Sequence, residues 1–364
     1  MPATSGLISA DHIHKGAEEK NETELQEFLG SELYDILQLA ARAPSGHNTQ
    51  PWMIEVIDET HLNLHVDPTR YLPAVDPTHR ETLISLGCFL ENLALAATHS
   101  GLRADIDITQ RQTNETLIAS IWLVRDKVIT YPISRLERRR TIRNNHKSEN
   151  INNQDLSFLT EGMDQESIEY IPGQSPQAEY LEKITCEANA KQIAHDEAQR
   201  ELANWIWFSN RDIRANRDGL TPASMEMPWI ARMIIGLFYD ETNVMQPGFR
   251  EKALENIYSQ LNSYGGWLVL ASRDSSVRSL IQTGRTFEQL ALKACDRKIA
   301  VHPMSQALEE SPWKDEIRNQ LGVNGRVQLL LRLGYVDDFP EPVSPRRPVD
   351  WFVSEFGPHS SLTF

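Results

Sequence analysis

Ala43-Pro44-Ser45-Gly46-His47-Asn48-Thr49-Gln50-Pro51-Trp52 is the stretch on which the reading of this chain turns. It follows a helical pattern over Glu32 to Arg42, in which Leu33, Ile36, Leu37, Leu39 and Ala40 share one face. It precedes an apolar run, Met53 to Ile57, that reads as a strand. Proline and glycine are what any tight connection needs. Five hydrogen-bonding side chains and a large aromatic in the same ten residues are more than a plain connection needs, so the stretch reads as a binding loop.

Outward from the loop, His61 to Val66 alternates like a hairpin partner for the strand. Asp67 to His79 is rich in Pro and Asp and predicts a long loop. Arg80 to Ser100 is a helix with little polar face, a pattern that belongs in a core. Leu117 to Val124 predicts another strand. Residues 151 to 260 read as mostly helical and polar, interrupted at Pro172, Pro176, Pro222 and Pro228. Trp267 to Ser272 predicts a strand, Gly284 to Lys298 a buried helix, and Arg326 to Gly334 a final strand.

The chain has 364 residues, enough to bury a sizeable core, with ordinary proportions of apolar and charged side chains. Its net charge of -15 argues against nucleic acid or an anionic membrane as partner. No apolar run approaches the roughly 20 residues of a membrane span, and Met1 to Lys20 holds no secretory h-region. Cys88, Cys186 and Cys295 show no C-x-x-C spacing and cannot all pair, which suits a reduced, cytoplasmic setting. His12 and His14 sit in a polar stretch and are poor metal ligands, so no metal is expected.

There is an internal echo. Gly87-Cys-Phe-Leu-Glu-Asn-Leu-Ala-Leu-Ala-Ala runs in register with Gly284-Arg-Thr-Phe-Glu-Gln-Leu-Ala-Leu-Lys-Ala at an offset of 197 (284 − 87). Strand candidates precede and follow each copy. Two buried helices can share Leu and Ala by chance, but the order of elements repeats too. This predicts an α+β fold of two pseudo-symmetric halves, a dimer collapsed into one chain.

The Pro44 to Trp52 stretch resembles the APS-x-x-N-x-QPW loop of the nitroreductase superfamily. Arg139-Arg140-Thr141-Ile142-Arg143 resembles that family's R-R-S-x-R/K segment. His302-Pro303-Met304-Ser305-Gln306 stands where members carry a Pro-containing loop after the long central helix, and Ser344-Pro345-Arg346-Arg347-Pro348 where they carry a basic C-terminal segment. The likeness covers most of residues 31 to 350, thinly in 151 to 260. Because the first half holds only the QPW loop and the second only the Arg segment, the chain looks like the Acg-type, twin-half members. The resemblance implies a nitroreductase-like fold with a tail at 1–30, a first half at 31–135, a second half at 136–337 with a helical insertion about 151–260, and a C-terminal extension at 338–364.

The resemblance further implies one FMN per chain, with hydride transfer through flavin N5 to or from a small organic substrate. NAD(P)H is the candidate electron donor. It assigns Pro44, Ser45, His47, Asn48 and Gln50 to the flavin. Arg139, Arg140, Thr141, Arg143, Arg346 and Arg347 are assigned mainly to its phosphate, since a dianion suits guanidinium forks and a hydroxyl. Arg143, furthest along, would reach the ribityl chain or the ring edge. Pro303, Met304 and Ser305 would bring a backbone N–H to N5, with Ser305 where many members carry Glu. The bland alternatives are a solvated basic face at 139–143 and a salt-bridged tail at 346–347. No side chain presents itself as general acid or base. Asp218 to Trp229, bounded by Gly and Pro, reads either as a lid over the flavin or as a packed loop. Two other activities stay open: flavin sequestration without turnover, and an oxygen-using biosynthetic oxidase or dehydrogenase. The flavin site would be complete in one chain, with further dimerisation left open.

Overall fold

The computed structural model describes residues 22–109, 115–127, 129 and 131–355. Most of the expected tail, His12, His14 and the end of the C-terminal extension lie outside them. In the first part α1 (Glu22–Leu29) and α2 (Ser31–Ala40) lead through the 43–51 loop into β1 (Trp52–Val56) and β2 (His61–Val66). Then come α3 (Arg80–His99), β3 (Leu102–Ile108), β4 (Leu117–Arg125) and α4 (Ile133–Arg138). In the second part α5 (Asn153–Thr160) and β5 (Ile168–Pro172) precede α6 (Pro176–Ala194), α7 (Asp196–Ala203), α8 (Asn210–Asn216), α9 (Trp229–Phe238), α10 (Glu241–Val244) and α11 (Pro247–Leu261). β6 (Gly266–Ser272), α12 (Val277–Ala294), β7 (Ile299–Pro303), α13 (Trp313–Leu321), β8 (Arg326–Tyr335) and β9 (Val353–Glu355) complete it.

Two sheets result, in an α+β architecture. One has the order β3-β4-β2-β1-β9, the other β5-β6-β8-β7. Read from opposite ends, 3-4-2-1 and 7-8-6-5 are one topology, and all the pairings within those two quartets are antiparallel. Each quartet has its long helix, α3 or α12, between its second and third strands in sequence. β9 adds to the first sheet in parallel with β1, so β8 is not the last strand.

α3 and α12 pack against each other through backbone. A Cβ on Gly87 would sit 2.2 Å from the Ile281 carbonyl oxygen, and one on Gly284 2.0 Å from that of Ile84. Both pairs carry the 197 offset, so the contact has the reciprocity of a two-fold interface. Glycine in mid-helix normally weakens it; here it allows the close approach. The helix at Gly284 begins earlier than its pattern suggests, at Val277, because the Ser276 side chain caps it by accepting from the Ser279 N–H.

Around this pair the main core gathers Trp52 and Leu331 from the two sheets, Phe89, Leu90 and Leu290 from the two helices, and Phe352 from the start of the β9 segment. β1 and β2 bury alternate residues, as a sheet with one face on the core should. β6 is buried on both faces. No helix of the described residues is long and apolar enough to cross a membrane.

Candidate functional site

The 43–51 loop leaves α2 in a turn held by its own atoms. Ser45 is extended, and its Oγ accepts from the Gln50 N–H at 2.8 Å. His47, Asn48 and Gln50 all have positive φ, near 47°, 57° and 52°. Asn tolerates that region; His and Gln there need support. Gln50 obtains it by donating to the Arg217 carbonyl at 3.0 Å and accepting from the Arg347 N–H at 2.8 Å. Asn48 donates to the carbonyls of Gly219 and Pro345, both at 3.1 Å, and accepts from Arg346 at 2.9 Å. The loop is thereby tied to the C-terminal segment, which β9 carries alongside β1.

Arg139 to Arg143 leave the end of α4 without forming helix or strand. They face the loop across a cavity of about 100 Å³. Nine of the residues expected at a flavin site line it: Pro44, Ser45, His47, Asn48, Arg139, Arg140, Thr141, Arg143 and Arg346. Arg42, Leu220, Ser224, Pro342 and Ser344 complete the lining and were not anticipated.

Five guanidiniums therefore meet in one place. Two carboxylates answer them. Glu288 of α12 lies 3.2 Å from Arg139. Glu226 accepts from Arg140 at 2.9 Å and from the backbone N–H groups of Arg143 and Asn144 at 3.0 and 2.8 Å. The Nε atoms of Arg139, Arg140 and Arg346 are buried without a hydrogen bond; the Arg139–Glu288 approach is electrostatic only. Arg346 is pulled down to about 9, first by burial and then by the Arg139 charge. Arg143 is lowered by burial, opposed by Glu226. Burial raises Glu288, opposed by Arg139. Five guanidiniums against two carboxylates leave the cavity wall with an excess of positive charge. His47 is lowered by burial and by Arg143, against Glu81.

Five expected residues stand elsewhere. Gln50 is fully buried and bonded as described. Arg347 points the opposite way from Arg346, as neighbours in an extended chain do. It donates to the carbonyls of Gln50, Trp52 and Trp351 and so fastens the loop to β1 and β9. Pro303 is a ladder residue of β7. Met304 lies in a separate apolar cluster, and the Ser305 Oγ accepts from the Leu330 N–H. Their neighbour His302 stands behind the cavity wall, where Arg332 donates to its Nδ1 and to the Arg143 carbonyl, beside a His146 whose Nε2 donates to the Ile142 carbonyl.

Asp218 to Trp229 is packed. Asp218 pairs with Arg70 at 2.8 Å, and the Gly219 N–H donates to the Asn48 carbonyl at 3.1 Å. Leu220 and Ser224 reach the cavity, and Arg143 donates to the Ser224 carbonyl at 2.7 Å. Met225 packs instead against the cluster of Ala203, Ile206, Phe208 and Val244, and Trp229 opens α9 facing outward. Glu226 was legible as the lone acid between two methionines. Glu288 was legible as the carboxylate kept in a buried repeat.

No protein-family model matches the chain. A Mycobacterium tuberculosis protein named "Putative NAD(P)H nitroreductase Rv3131" is 24% identical over 326 residues, covering 87% of this chain and 90% of that one. The "Probable NAD(P)H nitroreductase PigM" of a Serratia strain is 24% identical over 322 residues, covering 83% and 88%. Among solved structures, the FMN-dependent nitroreductase NfnB from Mycobacterium smegmatis in complex with NADPH is 15% identical. It has a TM-score of 0.33 and covers 56% of this chain and 86% of that one.

Proposed function

We propose, for a chain that belongs to the nitroreductase superfamily by its likeness to these relatives along most of its length, that the cationic cavity is the phosphate end of an FMN site. The chain is an FMN-dependent oxidoreductase in this reading, with NAD(P)H as donor and a small organic molecule as acceptor. It reads as two nitroreductase-like halves, 31–135 and 136–337, with the C-terminal extension laid across them and one flavin site between. One observation carries the proposal: five guanidiniums converge against two carboxylates.

The residues fit the group. Arg139, Arg140, Arg143 and Arg346, with the Thr141 hydroxyl, would hold a phosphate dianion, each charge-assisted contact contributing about 1.5–3 kcal/mol. Pro44, Ser45 and His47 form the facing wall. Bound FMN would supply hydride transfer. The lining holds no Asp, Glu, Lys, Cys or Tyr, so the protein's part is to bind and orient. Gln50 and Arg347 act one layer back by fixing the loop. Cys88, Cys186 and Cys295 are free thiols, in keeping with a reducing, cytoplasmic setting.

The cavity's size favours a gated site. About 100 Å³ is small beside the roughly 300–1,000 Å³ of sites that enclose a small molecule. Leu220 and Ser224 of the 218–228 loop line the cavity, and Glu226 holds that loop on Arg140 and on two backbone donors. The loop would have to lift for a flavin ring to enter. This keeps the sequestering reading in play, in which the loop shields a bound flavin. Anaerobic titration of the FMN-loaded chain with NADPH and NADH separates the two. Bleaching of the flavin band by either supports the oxidoreductase; no bleaching by either, with full bleaching by dithionite, supports sequestration.

A further inference from the structure

The sequence Trp229-Ile-Ala-Arg-Met-Ile-Ile-Gly-Leu-Phe238 makes α9 apolar on nearly every face, a composition that belongs inside a protein. Only one side is inside. Ile235 packs on the small cluster around Phe208 and Val244, and Gly236 approaches the Phe208 carbonyl. The other side carries Trp229, Ile230, Met233, Ile234, Leu237 and Phe238, each between 51% and 77% exposed. At i, i+4 and i+8, these side chains form one continuous double row. Elsewhere on the described surface the exposed apolar residues stand singly or as a pair, such as Trp122 and Val124 on β4, which is normal; a contiguous row of six is not.

We infer that this row is a homodimer interface, occupied by α9 of a second copy of the chain about a two-fold axis. Three observations select that occupant. The row, with the adjoining half-exposed Tyr239, presents on the order of 800 Å², the share each partner gives to a standard interface of about 1,600 Å². A two-fold axis near Met233 and Ile234 lays the helices antiparallel, so Trp229 of one copy meets Phe238 of the other and every row residue meets an apolar one. Arg232 is the only charge on the helix, and the chain carries -15 overall. An interfacial membrane helix would need a basic polar face, and ten residues are too short to span. The dimer owes nothing to charge attraction. Two copies at -15 repel, so added salt should tighten the pair.

Sedimentation velocity of the full chain from about 1 to 100 µM, a range that brackets micromolar association, tests this. The expected result is a concentration-dependent shift from 41.5 kDa to twice that mass, strengthened by salt. The double variant Leu237→Lys/Phe238→Lys should weaken association by at least about 30-fold. Both side chains are exposed, so its circular dichroism and urea midpoint should match the parent. A parent that stays at 41.5 kDa throughout overturns the inference. So does a double variant that dimerises as well as the parent, because the interface then lies elsewhere. So does a monomeric parent that co-sediments with phosphatidylcholine or phosphatidylserine vesicles, because the row then faces lipid.

Discussion

Gly87→Ala should destabilise the fold by about 2–3 kcal/mol, although alanine is the better helix former. The added methyl would lie 2.2 Å from the Ile281 carbonyl oxygen and 3.0 Å from the Gly284 Cα. Ordinary van der Waals contact begins near 3.4 Å, so the shortfall is about 1.2 Å. The obstruction is backbone, which cannot swing aside, so α3 and α12 must part by about an ångström and loosen the packing between them. Overpacking costs about 1–3 kcal/mol and sometimes more. A rigid obstacle between two helices of this length belongs at or above the upper end, and the helix-propensity gain of about 1 kcal/mol offsets part of it. Gly284→Ala should cost as much, since its methyl would lie 2.0 Å from the Ile84 carbonyl oxygen. Urea denaturation at constant m-value reads both. Two variants within about 0.5 kcal/mol of the parent, or more stable than it, would refute the close two-fold contact.

Arg139→Ala should weaken FMN binding by about 2–4 kcal/mol, roughly 30- to 1,000-fold, if it makes a charge-assisted phosphate contact in this buried wall; unchanged affinity by fluorescence titration would move the phosphate elsewhere. Glu226→Gln removes the charge that holds the 218–228 loop on Arg140, so FMN association should speed up about 5- to 30-fold, the rate equivalent of about 1–2 kcal/mol; equal stopped-flow rates would mean the loop does not gate entry. His146 is held down to about 3 by burial and by Arg332, so its ring resonances should not titrate between pH 5 and 8; a midpoint near 6.5 would contradict the buried cluster. In linkage terms the unfolded chain takes up this proton first. The stability tied to His146 is full above pH 6.5 and falls by about 1.4 kcal/mol per unit as pH drops from there toward 3.

Much of this was legible in the sequence because it rests on period and chemistry. The 3.6 pattern marks α3, and alternation marks β1 and β2. The echo of Gly87 and Glu91 in Gly284 and Glu288 points to the helix pair at the centre. The Arg segment and the QPW-like loop, 95 residues apart from Pro44 to Arg139, meet in space as their resemblance implies. What escaped did so for physical reasons. β5, β7 and β9 are short, and two of them end in proline, which leaves too little alternation to read; β3, by contrast, alternates apolar and charged residues from Leu102 to Ile108 and was readable. The directions of Arg346 and Arg347 depend on one dihedral step, and composition cannot tell which neighbour faces the cavity. Gln50 looks like a ligand group, yet positive φ turns it into the core to brace the loop. Met225 and Trp229 read as cover for a flat ring, but a local apolar cluster takes one and α9 the other.

The claim of a single flavin site per chain is tested most directly by reconstituting the protein with FMN, removing the excess, releasing the bound flavin and measuring it against protein. One FMN per chain is predicted, unchanged on dilution and unchanged in the Leu237→Lys/Phe238→Lys variant, because the loop of the first half and the Arg segment of the second line the same cavity. A ratio near two, a preference for flavin adenine dinucleotide, or flavin lost in step with dimer dissociation would contradict it.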